Sequence, residues 1–205
     1  MTSSTTRVLA ELRRRGLLLK QDKSLPSVVG IVTGESLATS WWSHPRAKEI
    51  FDLLEHLAER ADVIETKLLA GKVTFVDEAF WSALLGVALS GESWQRAGLS
   101  AKAKQLLEAV NRDGARAASG APAKELELRL AARSEQRHTE SGKHVLVLES
   151  WSSWAERRNV RALGVDESKA MLERAALALG APLGALPWRA EGKFAKKAGP
   201  RRRRL

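Results

Sequence analysis

The chain has 205 residues with a net charge of +10, and its 44% hydrophobic content is enough for a core in one large domain or two small ones. It contains no cysteine, which excludes disulfides, thiolate zinc sites and cysteine nucleophiles and suits a reducing compartment, so we expect a cytoplasmic protein. No run approaches ~18 apolar residues and no signal-peptide pattern is present, so we expect no contact with a membrane.

The N-terminal quarter predicts three helices. A short one within Ser4–Leu19 ends at Gly16, and the leucines that follow begin an extended segment. A short buried helix over Leu25–Val32 has Pro26 at its first position. The clearest helix spans Pro45–Ala61, where apolar residues recur at the spacing of one helical face.

A first hairpin is predicted over Val63–Val76, with Ala70 and Gly71 as its two-residue turn and with one apolar and one polar face. A helix through Glu65–Ala70 is the competing interpretation. Asp77 then caps a helix that stops near Gly91. The predicted register pairs Thr66 with Phe75, Lys67 with Thr74, and Leu68 with Val73.

The pattern recurs after a connector over 91–98. A helix from Ser100 to Gly114, a short extended segment and a helix over Pro122–Ala131 precede a second hairpin, Arg133–Leu148, which turns at Ser141 and Gly142. Further helices are predicted over 149–158 and, capped by Asp166, over 167–179.

A winged helix has the element order helix, short strand, helix and hairpin. We therefore predict an α+β, mainly helical fold of tandem winged-helix-like units with two β-hairpins and a disordered basic C-terminal tail. The units cover 1–91 and 98–150, C-terminal helices cover 151–188, and the tail covers 189–205.

The positive charge is concentrated in that tail. Residues 189–205 include eight basic side chains and one acidic one, which leaves a net charge of only +3 for the rest. An arginine run beside glycine and proline cannot fold alone, and it gains binding energy by releasing counterions from phosphates. A tail that only aids solubility is the alternative. The predicted phosphate contacts in the tail are Lys196, Lys197, Arg201, Arg202, Arg203 and Arg204.

Seven tryptophans and no tyrosine are present. Most of the tryptophans are expected to anchor the core, because an indole buries a large area. The adjacent pair Trp41 and Trp42 is the first candidate for stacking on nucleic-acid bases instead.

Three segments carry a family resemblance: Trp41–Pro45, Thr66–Val76, and Leu99–Ser100 with the helix and glycine that follow. Over roughly residues 25–150, the chain resembles bacterial winged-helix proteins related to the AlkZ-type DNA glycosylases. The resemblance implies tandem winged-helix units and a link to DNA.

The resemblance carries over no catalytic residue. Glycosylases of that superfamily use a Gln-x-Gln or Gln-x-Asp motif, whereas here Gln21 is followed two positions later by Lys23. Gln95 and Gln136 have no such partner either. A diverged glycosylase-like repair enzyme therefore stays an alternative without assigned catalytic residues.

A metal site is considered at His138, Glu140 and His144. The predicted register places His138 opposite Val145, so the two histidines would lie on opposite faces and could not converge on one ion. The chain also lacks a P-loop, a Gly-x-Gly-x-x-Gly fingerprint and a nucleophile elbow. We therefore predict neither a metal nor another cofactor.

The leading hypothesis is a non-enzymatic, nucleoid-associated protein that binds double-stranded DNA. A protein-interaction module is a further alternative, which the near-neutral body favours, and ordinary surface charge is the alternative for the helix cations. The oligomeric state stays open. In the folded part, the predicted nucleic-acid contacts are Lys67 and Lys72 of the first hairpin, Lys124, Arg129 and Arg133 on or beside the recognition helix, and Arg137, His138, Lys143 and His144 of the second hairpin.

Overall fold

The computed structural model describes residues 3–138 and 144–190. In these ranges the protein is α+β and mainly helical, with two small three-stranded antiparallel sheets. The first half contains α1 (Ser3–Arg15), β1 (Leu17–Leu19), α2 (Val28–Thr33), α3 (Ala47–Glu59), β2 (Val63–Leu69) and β3 (Lys72–Asp77). The second half contains α4 (Trp81–Ala88), α5 (Ser93–Arg96), α6 (Ala101–Asp113), β4 (Ala115–Ala117), α7 (Gly120–Leu128), β5 (Arg133–His138), β6 (His144–Glu149), α8 (Trp151–Arg158) and α9 (Val165–Leu179).

The predicted helices are present, with corrections at their ends. Helix α7 begins two residues before Pro122 and ends three residues before Ala131, and α5 lies in the predicted connector. Asp77 caps a 3-10 turn that precedes α4 and does not cap α4 itself.

Pro26 and Pro45 both lie before their helices. Ser27 caps α2 by accepting a hydrogen bond from the amide of Gly30, and local turns delay α3 until Ala47. Helix α9 begins two residues earlier than predicted, and Gly164 rather than Asp166 is its N-cap.

Gly16 ends α1, as predicted, with a φ of +75°. This left-handed conformation suits glycine because a side chain there is strained. A Cβ atom at this position would also lie 2.0 Å from the Phe80 ring, so the sharp change from α1 to β1 depends on the absence of a side chain.

The first sheet has the strand order β1-β3-β2, and its hairpin register differs from the prediction. A β-bulge at Leu68 shifts the pairing by one residue and lets Leu68 and its neighbour Leu69 both be buried. The amide of Leu69 donates a hydrogen bond to Oγ1 of Thr74 at 3.3 Å, which holds the bulge in place. The observed pairs include Glu65 with Phe75, Thr66 with Thr74, Lys67 with Val73, and Leu69 with Lys72.

Both faces of the first sheet are covered, so the predicted polar face is wrong. Leu18, Val63 and Phe75 join a core with α1, α2 and α3. Residues of the opposite face join a second core with α4, α8 and α9. There Trp81 and Trp154 meet edge to face at 5.2 Å, in agreement with the prediction that most tryptophans pack inside.

The second sheet has the strand order β4-β6-β5 and packs on a third core that includes Leu126 and Leu148. Its register also differs by one residue from the prediction, because Arg133 lies directly opposite Glu149 and their side chains form an ion pair. The predicted turn at Ser141 and Gly142 lies outside the described residues. No helix of the described ranges is long and apolar enough to cross a membrane.

Candidate nucleic-acid interface

The two lysines predicted to contact DNA from the first hairpin are engaged in ion pairs within the fold. Nζ of Lys67 on β2 pairs with Oε2 of Glu127 on α7, whose side chain is only 8% exposed. Nζ of Lys72 on β3 pairs with Oδ2 of Asp22, whose side chain is 4% exposed. Buried carboxylates therefore neutralise both cations, and neither is a free phosphate ligand.

The surroundings of Asp22 keep its carboxylate negatively charged. Its Oδ1 accepts hydrogen bonds from the amides of Ser24 and Leu25 at 2.9 and 3.0 Å, while its Oδ2 accepts one from Lys72. Burial raises the pKa of Asp22, but these hydrogen bonds and the lysine charge outweigh burial and lower the pKa to about 2. The carboxylate consequently holds Lys72 at any neutral pH.

Arg129 and Arg133 do not project from the second half as solvent-facing contacts. Arg129 is 5% exposed and donates a hydrogen bond to the carbonyl oxygen of Trp94 at 2.6 Å, and burial lowers the pKa of its guanidinium. Arg133 is mostly buried and pairs with Glu135 and Glu149. Their expected placement on the DNA-facing surface is therefore corrected: both side chains help to hold the fold together.

A cavity of about 240 Å³ between α3, β2, β5 and α8 is lined by four arginines and by Glu55 and Glu59 of α3. Arg60 pairs with Asp62, and Arg157 joins Arg133 on Glu149. The fourth, Arg158, lies over the Trp81 ring at 5.9 Å. Three of the four arginines between the two sheets are therefore paired with carboxylates, and Arg158 is exposed.

Among the predicted body contacts whose side chains the structure describes, Lys72 and Lys124 are exposed, and only Lys124 of these two makes no ion pair there. On the neighbouring helix α6, Lys102 and Lys104 are also exposed, and sequence reasoning missed both. They flank Ala103, which points into the core, so their place outside the apolar stripe was a usable signal. These three lysines are the accessible cations of α6 and α7 in the described ranges that make none of the ion pairs found there.

The remaining predicted contacts fall where side chains are not described. The backbone positions of Arg137, His138 and His144 lie on β5 and β6, and His138 pairs directly with His144. The two histidine positions therefore share a face, and the argument that placed them on opposite faces is wrong. Outside the described residues lie Lys143, Lys196, Lys197, Arg201, Arg202, Arg203 and Arg204. No cluster of three potential metal ligands occurs in the described part of the chain.

Helix α3 presents a mostly acidic outer surface, as its polar positions between the apolar ones indicate. Asp52, Glu55 and Glu59 are exposed on it. Beside this helix, Trp42 is 64% exposed and stacks on the buried Trp41, with ring centroids 4.1 Å apart. Only Trp42 of this pair is therefore open to a ligand, and its ring lies next to that of Phe51 on α3.

The chain was compared with protein-family models, curated proteins and solved structures, and none of them matches.

Proposed function

We propose that this chain is a DNA-binding protein of two winged-helix-like units, in which residues 191–205 supply most of the affinity for phosphates. The element order supports the architecture. A helix, a strand, two helices and a hairpin form the first unit, with strand order β1-β3-β2. A helix, a strand, a helix and a hairpin form the second, and its strand order β4-β6-β5 follows the same scheme.

The distribution of charge is the observation that carries the proposal. Residues 191–205 include seven basic side chains and one acidic one, a net charge of +6 out of the total of +10. In the body, Lys67, Lys72 and Arg133 are paired with carboxylates, and Arg129 is buried. Affinity for a polyanion grows with the number of phosphates that cations neutralise, and the seven cations of the C-terminal segment lie within twelve consecutive residues, whereas the exposed cations of the body are dispersed.

The second unit is the one that faces DNA in this proposal. Its helix α7 occupies the position of a recognition helix and exposes Lys124, and α6 adds Lys102 and Lys104. The corresponding helix of the first unit, α3, exposes Asp52, Glu55 and Glu59. Those carboxylates would repel a phosphate backbone, so the first unit faces away.

The test compares two quadruple variants of the full chain for binding to fluorescein-labelled duplexes of unrelated sequence, measured by fluorescence anisotropy. In the first variant, Arg201, Arg202, Arg203 and Arg204 become Gln. In the matched control, the exposed Lys23, Arg96, Arg161 and Arg174 become Gln, which removes the same charge from the body.

The tail variant is expected to lose at least about tenfold in affinity for every duplex at low salt, because each lost phosphate contact weakens binding independently of sequence. The control is expected to lose much less, because those four cations do not act together. Equal losses in the two variants, or full affinity in the tail variant, would refute the proposal.

A further inference from the structure

The first unit carries an exposed aromatic platform with no partner in the described structure. Phe51 on α3 is 38% exposed, and its ring centroid lies 5.9 Å from that of Trp42. Trp42 in turn stacks on Trp41, which is 5% exposed and anchored in the core. The buried neighbour holds the outer indole in place, so its free face is a preorganised surface for a flat or cationic group.

Two carboxylates extend this platform along the helix. Phe51, Glu55 and Glu59 are spaced by four residues, which places them on one side of α3. Both glutamates are exposed and form no ion pair or hydrogen bond within residues 3–138 and 144–190, whereas nearby Asp52 is paired with Lys48 at 2.7 Å. We call Trp42, Phe51, Glu55 and Glu59 the aromatic–acidic surface.

The chemistry of this surface selects a cationic partner that can also stack. Arginine fits both requirements, because its planar guanidinium packs on aromatic faces and forms hydrogen bonds with carboxylates. We propose that the aromatic–acidic surface binds the C-terminal segment 191–205 of the same chain, which holds four consecutive arginines, three lysines and Phe194.

The length of the C-terminal segment and its high effective concentration near the body favour it as the partner of this surface. Fifteen extended residues span at most about 50 Å. A folded body of this size has a radius of gyration of about 16 Å and is roughly 40 Å across. A tethered segment experiences an effective concentration in the millimolar range, so weak contacts are sufficient for binding. The carboxylates of Glu55 and Glu59, unpaired within the described ranges, attract a segment that carries +6, and the aromatic rings beside them distinguish this surface from other exposed carboxylates.

While the segment is docked it cannot bind phosphates, so this contact regulates the nucleic-acid binding proposed above. This regulatory role rests on the proposed function. If two thirds of the molecules are docked, the apparent affinity for DNA falls about threefold, because only the free fraction is competent. Docking itself does not depend on DNA and is tested first.

The first experiment is zero-length carbodiimide crosslinking of the full chain, without nucleic acid, followed by peptide mass spectrometry. A mixture of ¹⁴N- and ¹⁵N-labelled protein separates contacts within one chain from contacts between copies. We expect same-isotope crosslinks from Lys193, Lys196 or Lys197 to Glu55 or Glu59. Crosslinks spread over exposed carboxylates elsewhere would overturn the proposal, and mixed-isotope crosslinks would assign the surface to a second copy instead.

The second experiment removes the platform without changing the charge. Trp42→Ala with Phe51→Ala is expected to abolish the Glu55 and Glu59 crosslinks and to raise affinity for duplex DNA about threefold. Leu89→Ala with Leu177→Ala is the matched control, since both leucines are exposed apolar residues outside this surface, at 45% and 55%. The control is expected to keep the crosslinks and the parental affinity.

The two proposals fail in different ways. Crosslinks that persist at parental yield in the Trp42 and Phe51 variant refute the docking, whatever the chain does with DNA. If the expected crosslinks form and then vanish in that variant while no protein binds any duplex, docking stands and the nucleic-acid function fails.

Discussion

Replacing Asp22 by asparagine probes the internal pairing that removes Lys72 from the set of free cations. Asparagine can still accept the amide hydrogen bonds of Ser24 and Leu25, but it loses the charge and can turn its NH₂ toward the lysine. The pKa of Asp22 falls from 3.8 to about 2 in the fold. A shift of nearly two units corresponds to about 2 kcal/mol of stability at neutral pH.

The sign follows from the lowered pKa. The stabilisation is fully present above the unfolded-state pKa of 3.8 and is lost as the pH falls through about 2. Urea unfolding is therefore expected to show a deficit of about 2 kcal/mol for Asp22→Asn at pH 7, shrinking steadily below about pH 4.

Asp52→Asn is the control, because its ion pair with Lys48 is exposed on both sides and contributes at most about 0.5 kcal/mol. A deficit for Asp22→Asn that is the same at pH 7 and near pH 2, or no larger than that of the control, would refute the reasoning.

Three further predictions concern stability. Burial raises the pKa of Glu65, so the protein loses stability as the pH rises from 4.5 through the folded-state pKa. Glu65→Gln should therefore increase the free energy of unfolding at pH 7 and leave it unchanged at pH 4. A lower free energy of unfolding at pH 7 would contradict this. In Gly86→Ala the new Cβ would lie 2.1 Å from Oγ of Ser168, so thermal unfolding should show a loss of about 1–3 kcal/mol, and an unchanged Tm would show that α4 and α9 can separate freely. Lys67→Met leaves the buried Glu127 without its ion pair and should cost about 2 kcal/mol in urea unfolding at pH 7; a neutral effect would mean that water replaces the lysine.

Local signals in the sequence predict most helices and both hairpins. In α6, Ser100 caps the first turn and Gly114 follows the last, so both ends are specified by neighbouring residues. In α3, the apolar spacing that includes Ile50 and Leu57 identifies most of the buried face, although Phe51, which shares that spacing, is exposed. Such signals act within one or two turns of helix, which is why they are visible without the fold.

The hairpin registers required tertiary information. The bulge at Leu68 forms because both Leu68 and Leu69 find buried sites, and alternation along the strand does not reveal the second site. In the second hairpin, the ion pair of Arg133 with Glu149 favours a register that a two-residue turn alone does not predict. A shift of one residue was enough to reverse the relation between His138 and His144.

Whether a given lysine or arginine is paired, buried or free in the fold was the least predictable property. Lys67 and Glu127 are 60 residues apart in sequence, and Lys72 and Asp22 are 50 apart, so their pairing depends entirely on the fold. Arg129 follows a helix whose outer face is polar, yet its side chain turns inward to a backbone carbonyl. The charge of the C-terminal segment, in contrast, was evident from composition alone.

The central claim is that phosphate affinity resides mainly in the C-terminal segment, because its seven cations lie close together in sequence while four of the predicted contacts of the body are paired or buried. The most direct measurement is the slope of log K against log salt concentration for a duplex of arbitrary sequence, compared between the parental chain and the chain with Arg201–Arg204 replaced by Gln. Each lost phosphate contact reduces the magnitude of the slope by about 0.9, so the variant's slope should be shallower by about 3.6. An unchanged slope would contradict the claim and would mean that the folded body makes the phosphate contacts.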